Sequence, residues 1–264
     1  MIVSAWEGHY RMTANDEHGR LAGRLAGAFR PALLPEGERR EEVLYAVAEH
    51  DRGWIGLDEV PLWNDEANRP FSVTDYPLGL RLPFYGRGIS EVEGQSPYAA
   101  LLCSMHYTSL PPAFLKHIVG GAPASLPSAL AEEKERQRRI RADLGLGSAA
   151  AEDTIGTHLA LLQLADALSL HFCASIGTEQ GDMAAPFAEM CLRAGAVATG
   201  SPISLARPAA GEALLSASIL DAPVETSYLT RDVPARLIAD KGIAAAYAET
   251  PLAEIRIAVR PIAP

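Results

Sequence analysis

The stretch Ala46–Trp54, Ala-Val-Ala-Glu-His-Asp-Arg-Gly-Trp, ends an apolar helical pattern with the adjacent pair His50-Asp51. Val43 and Val47 precede the pair at helical spacing, which indicates that this helix turns an apolar face towards a core. An imidazole beside a carboxylate offers two metal ligands of different charge from one short piece of backbone. The pair therefore predicts a metal site at a helix end, which other helices must complete.

The length and the charge of the chain limit the classes to which it can belong. Its 264 residues suffice for a sizeable core, and we expect a single domain over residues 1–264. The formal net charge of −10 argues against nucleic-acid binding, because that affinity depends on Lys and Arg that neutralise phosphates. An anionic small-molecule substrate is compatible with this net charge if positively charged residues are concentrated at its binding site. The sequence leaves open whether the protein forms a homo-oligomer.

The cysteines and the N-terminal residues indicate the compartment. Cys103, Cys173 and Cys191 lie in apolar, helix-like patterns, which predicts reduced thiols packed as small hydrophobic side chains. Residues 1–7 lack the basic segment and the apolar run of a signal peptide, and no apolar run reaches the ~20 residues that span a bilayer. We therefore expect a cytoplasmic protein that does not bind a membrane.

The first two thirds of the chain are predicted to be mainly helical. Two short strands about Glu7-Gly8-His9 come first, followed by a helix that Asn15 or Asp16 is expected to cap. The further helices are predicted over Glu38 to about Arg52, from Ser96-Pro97 to Pro111-Pro112, over about Ser128–Leu144, and over about Asp153–Ser175. Residues 55–95 show no sustained periodicity and are expected to form a long, ordered excursion over the site.

After Gly195 the sequence changes to short β-rich runs, Leu214–Leu220, Val224–Leu229 and Ile255–Val259, with a short helix near Ile243–Ala248. These runs predict a small sheet that also takes up the N-terminal hairpin. The predicted fold class is therefore mostly α (α+β). A helical core covers about residues 15–195, and a β-rich appendage comes from residues 1–14 and 196–264.

Polar residues on apolar helical faces are candidates to complete the site. His18 lies on such a face of the first helix, and His106 on that of the third. Asp166 lies within the apolar surface of the longest helix, where an ionised carboxylate must be hydrogen-bonded, paired, neutralised or bound to a cation. Without His106, the two imidazoles and two carboxylates from three helices form an N/O ligand set that suits a first-row divalent ion.

Each of these candidates also has a purely structural interpretation. His50-Asp51 is then a helix-end histidine, favoured by the negative end of the helix dipole, followed by a solvated carboxylate. His18 and His106 are then core histidines with a satisfied hydrogen bond, and Asp166 bonds a tyrosine or serine in a dry core.

The basic run around Arg138 and the aromatic ring of Trp54 have structural interpretations of the same kind. A helix that mixes several arginines with glutamates is typical of a solvated face with exchanging ion pairs. Trp54 then packs against the helix that carries His50-Asp51 instead of stacking on a substrate.

The order His18, His50-Asp51 and Asp166, each on its own helix, resembles the HD-domain superfamily of metal-dependent phosphohydrolases, which also includes some di-iron oxygenases. The segments Asp16-Glu17-His18, His50-Asp51-x-Gly53-Trp54, Ser104-Met105-His106 and Leu164–Leu170 are similar to an uncharacterised bacterial domain-of-unknown-function family (3891), over nearly the whole chain. The resemblance implies an HD-like helical bundle. It also implies His18, His50, Asp51 and Asp166 as metal ligands, and a further ligand or substrate-binding histidine at His106.

These residues predict a metal-dependent hydrolase of a small phosphorylated metabolite, either a phosphomonoesterase or a phosphodiesterase. A divalent ion (Mn, Fe, Ni, Zn or Mg) would lower the pKa of a bound water and polarise a phosphoryl oxygen. Asp51 and His106 are the predicted catalytic residues: Asp51 orients the water, and His106 contacts the substrate or protonates the leaving group. Trp54 and Arg138 are the further predicted substrate contacts. The alternatives are an iron-dependent oxygenase and a non-catalytic metal- or ligand-binding protein.

Overall fold

The computed structural model describes residues 1–34, 36–109, 122–175 and 184–262. The helices in these ranges are α1 (Asn15–Gly27), α2 (Glu38–Glu49), α3 (Ile55–Asp58), α4 (Leu78–Glu93), α5 (Pro97–Thr108), α6 (Leu126–Asp143), α7 (Ala149–Ser175), α8 (Ala184–Thr199), α9 (Ala235–Lys241) and α10 (Ile243–Glu249), with a 3-10 turn at Arg52–Trp54. The strands are β1 (Ile2–Trp6), β2 (His9–Thr13), β3 (Trp63–Asn64), β4 (Arg69–Pro70), β5 (Leu205–Ala206), β6 (Glu212–Ser216), β7 (Val224–Pro234) and β8 (Ala253–Ile262).

A mixed sheet of six strands runs through the described part of the chain in the order β1-β2-β7-β8-β6-β5. The predicted N-terminal hairpin is present, and its turn residues Glu7 and Gly8 both have positive φ, as a two-residue hairpin loop requires. Strand β2 pairs with β7, so the two ends of the described chain share one sheet. Strands β6 and β8 pair in parallel, whereas the other neighbours in this sheet are antiparallel.

The predicted fold class was wrong, because the sheet is not a small addition to an HD-like helical bundle. The hairpin and the C-terminal strands do join as expected, but β7 has 11 residues and β8 has 10. The apolar run that predicted a strand at Val224–Leu229 ends before Arg231 and Asp232, which continue β7. Arg11 of β2 binds Asp232 across the strand pair, so an ion pair between charged residues accompanies the strand beyond its apolar part.

The longest helix, α7, lies at the centre of the helical layer, as its apolar surface predicted. It packs against α1, α2, α5 and α8. Its side chains Leu161, Leu162, Leu164 and Leu168 are all buried. Asp166, between Leu164 and Leu168, is buried as well and must therefore find its partners inside the protein.

Residues 55–95 are more regular than the prediction of an excursion without periodicity. They contain α3, the β3–β4 hairpin and the 16-residue helix α4. Pro83 removes one helical hydrogen bond within α4, and Gly86 and Gly88 are poor helix formers, so the local sequence hid this helix. Packing against the rest of the protein overrides that weak propensity.

Helix α4 contacts the 3-10 turn that follows His50-Asp51 through backbone atoms. A Cβ atom on Gly53 would lie 2.5 Å from the carbonyl oxygen of Phe84, and one on Gly88 would lie 2.7 Å from the Cα of Gly53. Side chains other than hydrogen do not fit at either position, because the opposing atoms belong to the backbone. The two glycines thus fix α4 against the end of α2.

Two predictions about helix ends had different outcomes. The predicted start at Ser96-Pro97 is confirmed, since the Ser96 hydroxyl oxygen accepts a hydrogen bond from the backbone N–H of Ala99 at 3.1 Å. The predicted cap of the first helix was wrong. The helix already begins at Asn15, whose backbone N–H donates to Asp58 Oδ2 at 2.6 Å, so a carboxylate that is distant in sequence takes the place of a local capping side chain. The predicted stop at Pro111-Pro112 lies outside the described residues.

The predicted state of the cysteines agrees with the structure. Cys103, Cys173 and Cys191 are free and buried. Burial raises the pKa of all three thiols, which accordingly pack as neutral, small apolar side chains. In the ranges given above, no helix is both long enough and apolar enough to cross a membrane.

The contact between α4 and the 3-10 turn can be tested with two glycines of the same helix. We expect Gly88→Ala to lower the free energy of unfolding by about 1–3 kcal/mol, because the added methyl group meets backbone atoms of Gly53. Gly86→Ala is the control. A Cβ there has nothing within 4 Å, so the change should leave stability equal or up to about 1 kcal/mol higher. Urea denaturation of both variants measures the difference, and equal stability would contradict the contact.

Candidate metal centre

Five polar residues meet in the core, and none is more than 6% exposed: His18, His50, Asp51, His106 and Asp166. They come from α1, from the residues that directly follow α2, from α5 and from α7. The structure thus brings together the four predicted metal ligands and also His106, which the sequence predicted as a further ligand or a substrate-binding histidine. Their roles as ligands stay a prediction.

The ring of His18 lies between an acidic side chain and a hydroxyl group. Its Nε2 is 2.8 Å from Asp51 Oδ2, and its Nδ1 is 2.8 Å from Ser169 Oγ. The Ser169 hydroxyl donates to the carbonyl oxygen of Asp166 at 2.8 Å, so towards His18 it can only act as an acceptor. Nδ1 of His18 therefore carries the hydrogen. A neutral His18 then directs the lone pair of Nε2 at a carboxylate oxygen. These two atoms repel unless a proton or a metal ion lies between them.

His50 has the same arrangement. Its Nδ1 lies 2.8 Å from the carbonyl oxygen of Val47, which can only accept, so Nδ1 carries the hydrogen. The other ring nitrogen, Nε2, is buried without a hydrogen-bond partner in the described ranges and lies 3.3 Å from Asp166 Oδ1. A carbonyl that fixes one ring nitrogen as a donor and leaves the other free is the usual support of a metal-binding histidine.

His106 completes the cluster with weaker contacts. Its Nε2 lies 3.7 Å from Asp166 Oδ2, and its ring meets that of His50 edge to face, with 5.3 Å between the ring centres. Its Nδ1 is buried and has no hydrogen-bond partner among the described residues. A buried polar atom without a partner is rare enough to need an explanation, such as a water or an ion.

The electrostatics of the cluster favour a bound cation. Burial alone would raise the pKa of Asp51, but His50 and His18 hold it well below its usual range. The pKa of Asp166 is lowered too, because His50 outweighs the effect of burial. Burial alone would lower the pKa of His50, but Asp51 and Asp166 raise it to about 9. The pKa of His106 is lowered by its burial. The metal-free cluster therefore keeps both carboxylates ionised and holds a proton among its imidazoles.

The ligand atoms form two overlapping groups that could hold a metal ion. One consists of His18, His50 and Asp51, and the other of His50, His106 and Asp166. Within each group, one atom from every residue lies within 4.8 Å of the others. His50 belongs to both groups and is therefore the residue whose loss should harm metal binding most.

A tyrosine that the sequence interpretation missed supports the cluster from outside. Tyr107 donates a hydrogen bond from its hydroxyl to Asp51 Oδ1 at 2.7 Å, and its ring stacks on Tyr85 with 4.0 Å between the centres. This bond occupies the carboxylate oxygen that does not face His18. The position next to His106 in the sequence was the available signal, but the helical pattern alone did not indicate that both side chains face one site.

The two predicted substrate contacts lie in different places. Trp54 is buried, and its ring lines a cavity of about 40 Å³ beside the cluster, together with Arg81, Tyr85 and Tyr107. Arg138 does not line this cavity. Its side chain is 70% exposed on α6 and pairs with Glu135, so the structural interpretation of a solvated face applies to it. Arg81 was missed, because residues 55–95 contain no motif that singles it out.

The first test of the cluster is its metal content. We expect the wild-type protein, purified without chelator, to hold a transition metal, and His50→Ala to hold at least ~10-fold less, because it removes the nitrogen shared by both groups. His158→Ala is the control, since His158 is a buried histidine that bonds the Tyr98 hydroxyl at 2.7 Å and belongs to neither group. Elemental analysis measures both. Wild-type protein that contains no metal and takes none up would contradict the site.

The role of the tyrosine is tested by removing one oxygen atom. We expect Tyr107→Phe to weaken metal binding by ~10–100-fold, because Asp51 then loses the bond that orients its carboxylate. Tyr98→Phe removes a phenol–histidine bond elsewhere in the core and should leave the metal affinity unchanged. Competition with a chelating dye gives both affinities. Equal affinities of the two variants would exclude a role of Tyr107 at the metal.

Comparisons with known proteins give one finding. The model of a family described as "Protein of unknown function (DUF3891)" matches residues 1–212. Neither the search of curated proteins nor that of solved structures returned a match.

Proposed function

The chain belongs to the DUF3891 family, whose function is unknown, and we propose that it is a metal-dependent hydrolase of a small phosphorylated metabolite. One observation carries the proposal. In their neutral form, two imidazoles each direct an acceptor nitrogen at a buried carboxylate oxygen, namely His18 at Asp51 and His50 at Asp166. Such a pair of contacts becomes favourable when a divalent cation lies among the four groups.

The donor set suits a hard or borderline divalent ion. Imidazole nitrogen combined with carboxylate oxygen binds Mn, Fe, Ni or Zn, and the carboxylates suit Mg. The proposed ligands are His18, His50, Asp51 and Asp166. Their order along the chain is similar to that of HD-type phosphohydrolases, and this likeness in the ligands supports the proposed reaction. When bound, the ion would supply an activated water and polarise a phosphoryl oxygen.

The residues around the ligands have the chemistry that hydrolysis requires. The Asp51 carboxylate, held at Oδ1 by Tyr107, is positioned to accept a hydrogen bond from a water beside the metal. His106 has a buried Nδ1 to which no described residue forms a hydrogen bond, which suits a contact with the substrate or a proton transfer to the leaving group.

A second, larger cavity gives room for the rest of a substrate. It has a volume of about 670 Å³ and lies between α4, the end of α5 and α6, with a largely apolar lining. Tyr85 and Tyr107 line both this cavity and the small one beside the ligands. Its volume is typical of sites for small metabolites. We propose that the organic part of the substrate lies in this larger cavity and that its reactive group extends past the two tyrosines towards the proposed metal ligands.

The reaction is tested by loading the protein with the metal found in it and screening generic esters. We expect release of nitrophenol from p-nitrophenyl phosphate or bis(p-nitrophenyl) phosphate, lost at least ~100-fold in Asp166→Asn and retained in His158→Ala. Asp166→Asn keeps the shape of the side chain but removes the charge that binds the metal. A metal-loaded protein that hydrolyses neither ester nor any phosphorylated metabolite in a broad panel would contradict the proposal.

An iron-dependent oxygenase is the second candidate, and a specific group favours it. His50, His106 and Asp166 are two histidines and one carboxylate, the ligand composition of many non-haem iron oxygenases. Iron as the metal in the purified protein, with oxygen uptake and no phosphate release, would select this reaction. A metal-binding protein without catalysis predicts instead that Asp166→Asn changes metal content and stability but abolishes no turnover.

A further inference from the structure

One arginine is buried beside the proposed metal ligands, and no acidic side chain in the described part of the chain forms an ion pair with it. Arg81 lies in the first turn of α4 and is 2% exposed, and its side chain lines the same small cavity as the five residues of the cluster. A guanidinium group stays protonated in proteins, so a full positive charge lies inside the protein here. Charges in such places are paired or bind a ligand, because desolvation without compensation is unfavourable.

The hydrogen bonds of Arg81 leave part of its donor capacity unused. One terminal nitrogen donates to the carbonyl oxygen of Val73 at 2.9 Å, while Nε is buried and has no hydrogen-bond partner among the residues that the structure describes. No Asp or Glu in the described residues forms an ion pair with it. Arg11 provides the contrast, since it is also buried but meets Asp232 through two bonds of 2.7 Å. The core thus pairs one of these arginines with a carboxylate and leaves the other without one.

Aromatic rings hold the guanidinium group in place. Its central carbon lies 5.7 Å from the ring centre of Trp54 and 5.9 Å from that of Tyr85, within the range of cation–π contacts. Tyr85 stacks on Tyr107, which binds Asp51. Arg81 is therefore linked through two rings to a proposed metal ligand, and its position is fixed before any ligand enters.

The arginines of the larger cavity do not offer the same free charge. Arg87 pairs with Glu91 at 3.6 Å, and Arg136 pairs with Glu93 and Glu133. An anionic group that entered between α4 and α6 would thus find its unpaired cationic partner at the inner end, at Arg81. The small cavity of about 40 Å³ takes about three water molecules, which is space for a metal ion's open positions and the oxygens of one anionic group.

We propose that Arg81 binds the oxyanion of the substrate next to the metal ligands. The planar guanidinium group donates two parallel hydrogen bonds to phosphate or carboxylate oxygens, and its free Nε together with a terminal nitrogen provides such a pair of donors. That the oxyanion is a phosphoryl group rests on the proposed function. The anion site itself rests on the unpaired charge and the cavity. Arg81 thereby takes the role that the sequence assigned to Arg138.

Inorganic phosphate tests the site without any turnover. We expect calorimetry to detect phosphate binding to the metal-loaded wild type, and Arg81→Gln to raise the dissociation constant at least ~10-fold. Arg81→Lys, which keeps the charge but not the planar fork, should fall between them. Arg138→Gln is the matched control, because it removes the same charge from a solvated position and should bind phosphate like the wild type. Binding that is equal in Arg81→Gln and wild type, or absent from the wild type, would overturn the proposal.

Two further measurements keep the test decisive. If Arg81→Gln does not fold, Arg81→Lys carries the test, with weaker phosphate binding supporting the site and unchanged binding overturning it. Acetate in place of phosphate identifies the anion, because binding of acetate alone with the same dependence on Arg81 would overturn the phosphoryl assignment.

The proposed function and the anion site can fail separately. Phosphate binding that depends on Arg81 in a protein that hydrolyses no ester would support the anion site and contradict the hydrolase. Ester hydrolysis combined with phosphate binding that ignores Arg81 would support the hydrolase and overturn the anion site. Repeating the titration after chelation shows whether Arg81 binds phosphate without the metal, and retained dependence on Arg81 supports the anion site.

Discussion

The need to compensate two buried carboxylates organises the centre of this protein. Asp51 and Asp166 are nearly inaccessible to solvent, and each lies beside an imidazole nitrogen, at 2.8 Å from His18 and 3.3 Å from His50 respectively. The outer nitrogens of His18 and His50 already donate to a serine hydroxyl and a backbone carbonyl, so the inner nitrogens reach the carboxylates as lone pairs. Only a proton or a metal ion makes such a contact attractive. The raised pKa of His50, about 9, shows how strongly the carboxylates attract positive charge.

The candidate site could be anticipated because its members break the pattern of their own helices. His18 and Asp166 stand out as polar residues on faces that must be buried, and His50-Asp51 stands out at a helix end. Local patterns reveal that such a residue needs a partner. They do not reveal which partner it finds, and for this reason the hydrogen bonds of Ser169 and Tyr107 were not predicted.

The fold was harder to predict than the site, for two physical reasons. Helix α4 contains one proline and three further interruptions by glycine, at Gly79, Gly86 and Gly88, so its propensity is low, and it is held by a backbone contact that sequence periodicity does not register. The length of β7 depends on ion pairing between neighbouring strands, as at Arg11 and Asp232. Both features arise from tertiary contacts. Arg81 was overlooked with α4, since its place beside the cluster follows from how that helix packs.

The sheet carries none of the proposed ligands, but it fixes two of the helices that do, α1 and α7. The Ser4 hydroxyl of β1 donates to the carbonyl oxygen of Ala174 at the end of α7 at 3.2 Å. Arg24 of α1 donates to the carbonyl oxygen of Ser227 in β7 at 2.7 Å, and the backbone N–H of Leu229 donates to Glu17 at 3.2 Å.

Glu17 is the residue next to His18, so the sheet holds α1 at the very turn that presents the imidazole. The same sheet therefore fixes the positions of both His18 on α1 and Asp166 on α7. A ligand set built from separate helices needs such a support, because a misplacement of about 1 Å is enough to weaken a metal site or a reactive geometry. The β-rich end is in this sense part of the site's construction, which explains why a helical bundle with a small appendage was too simple a description.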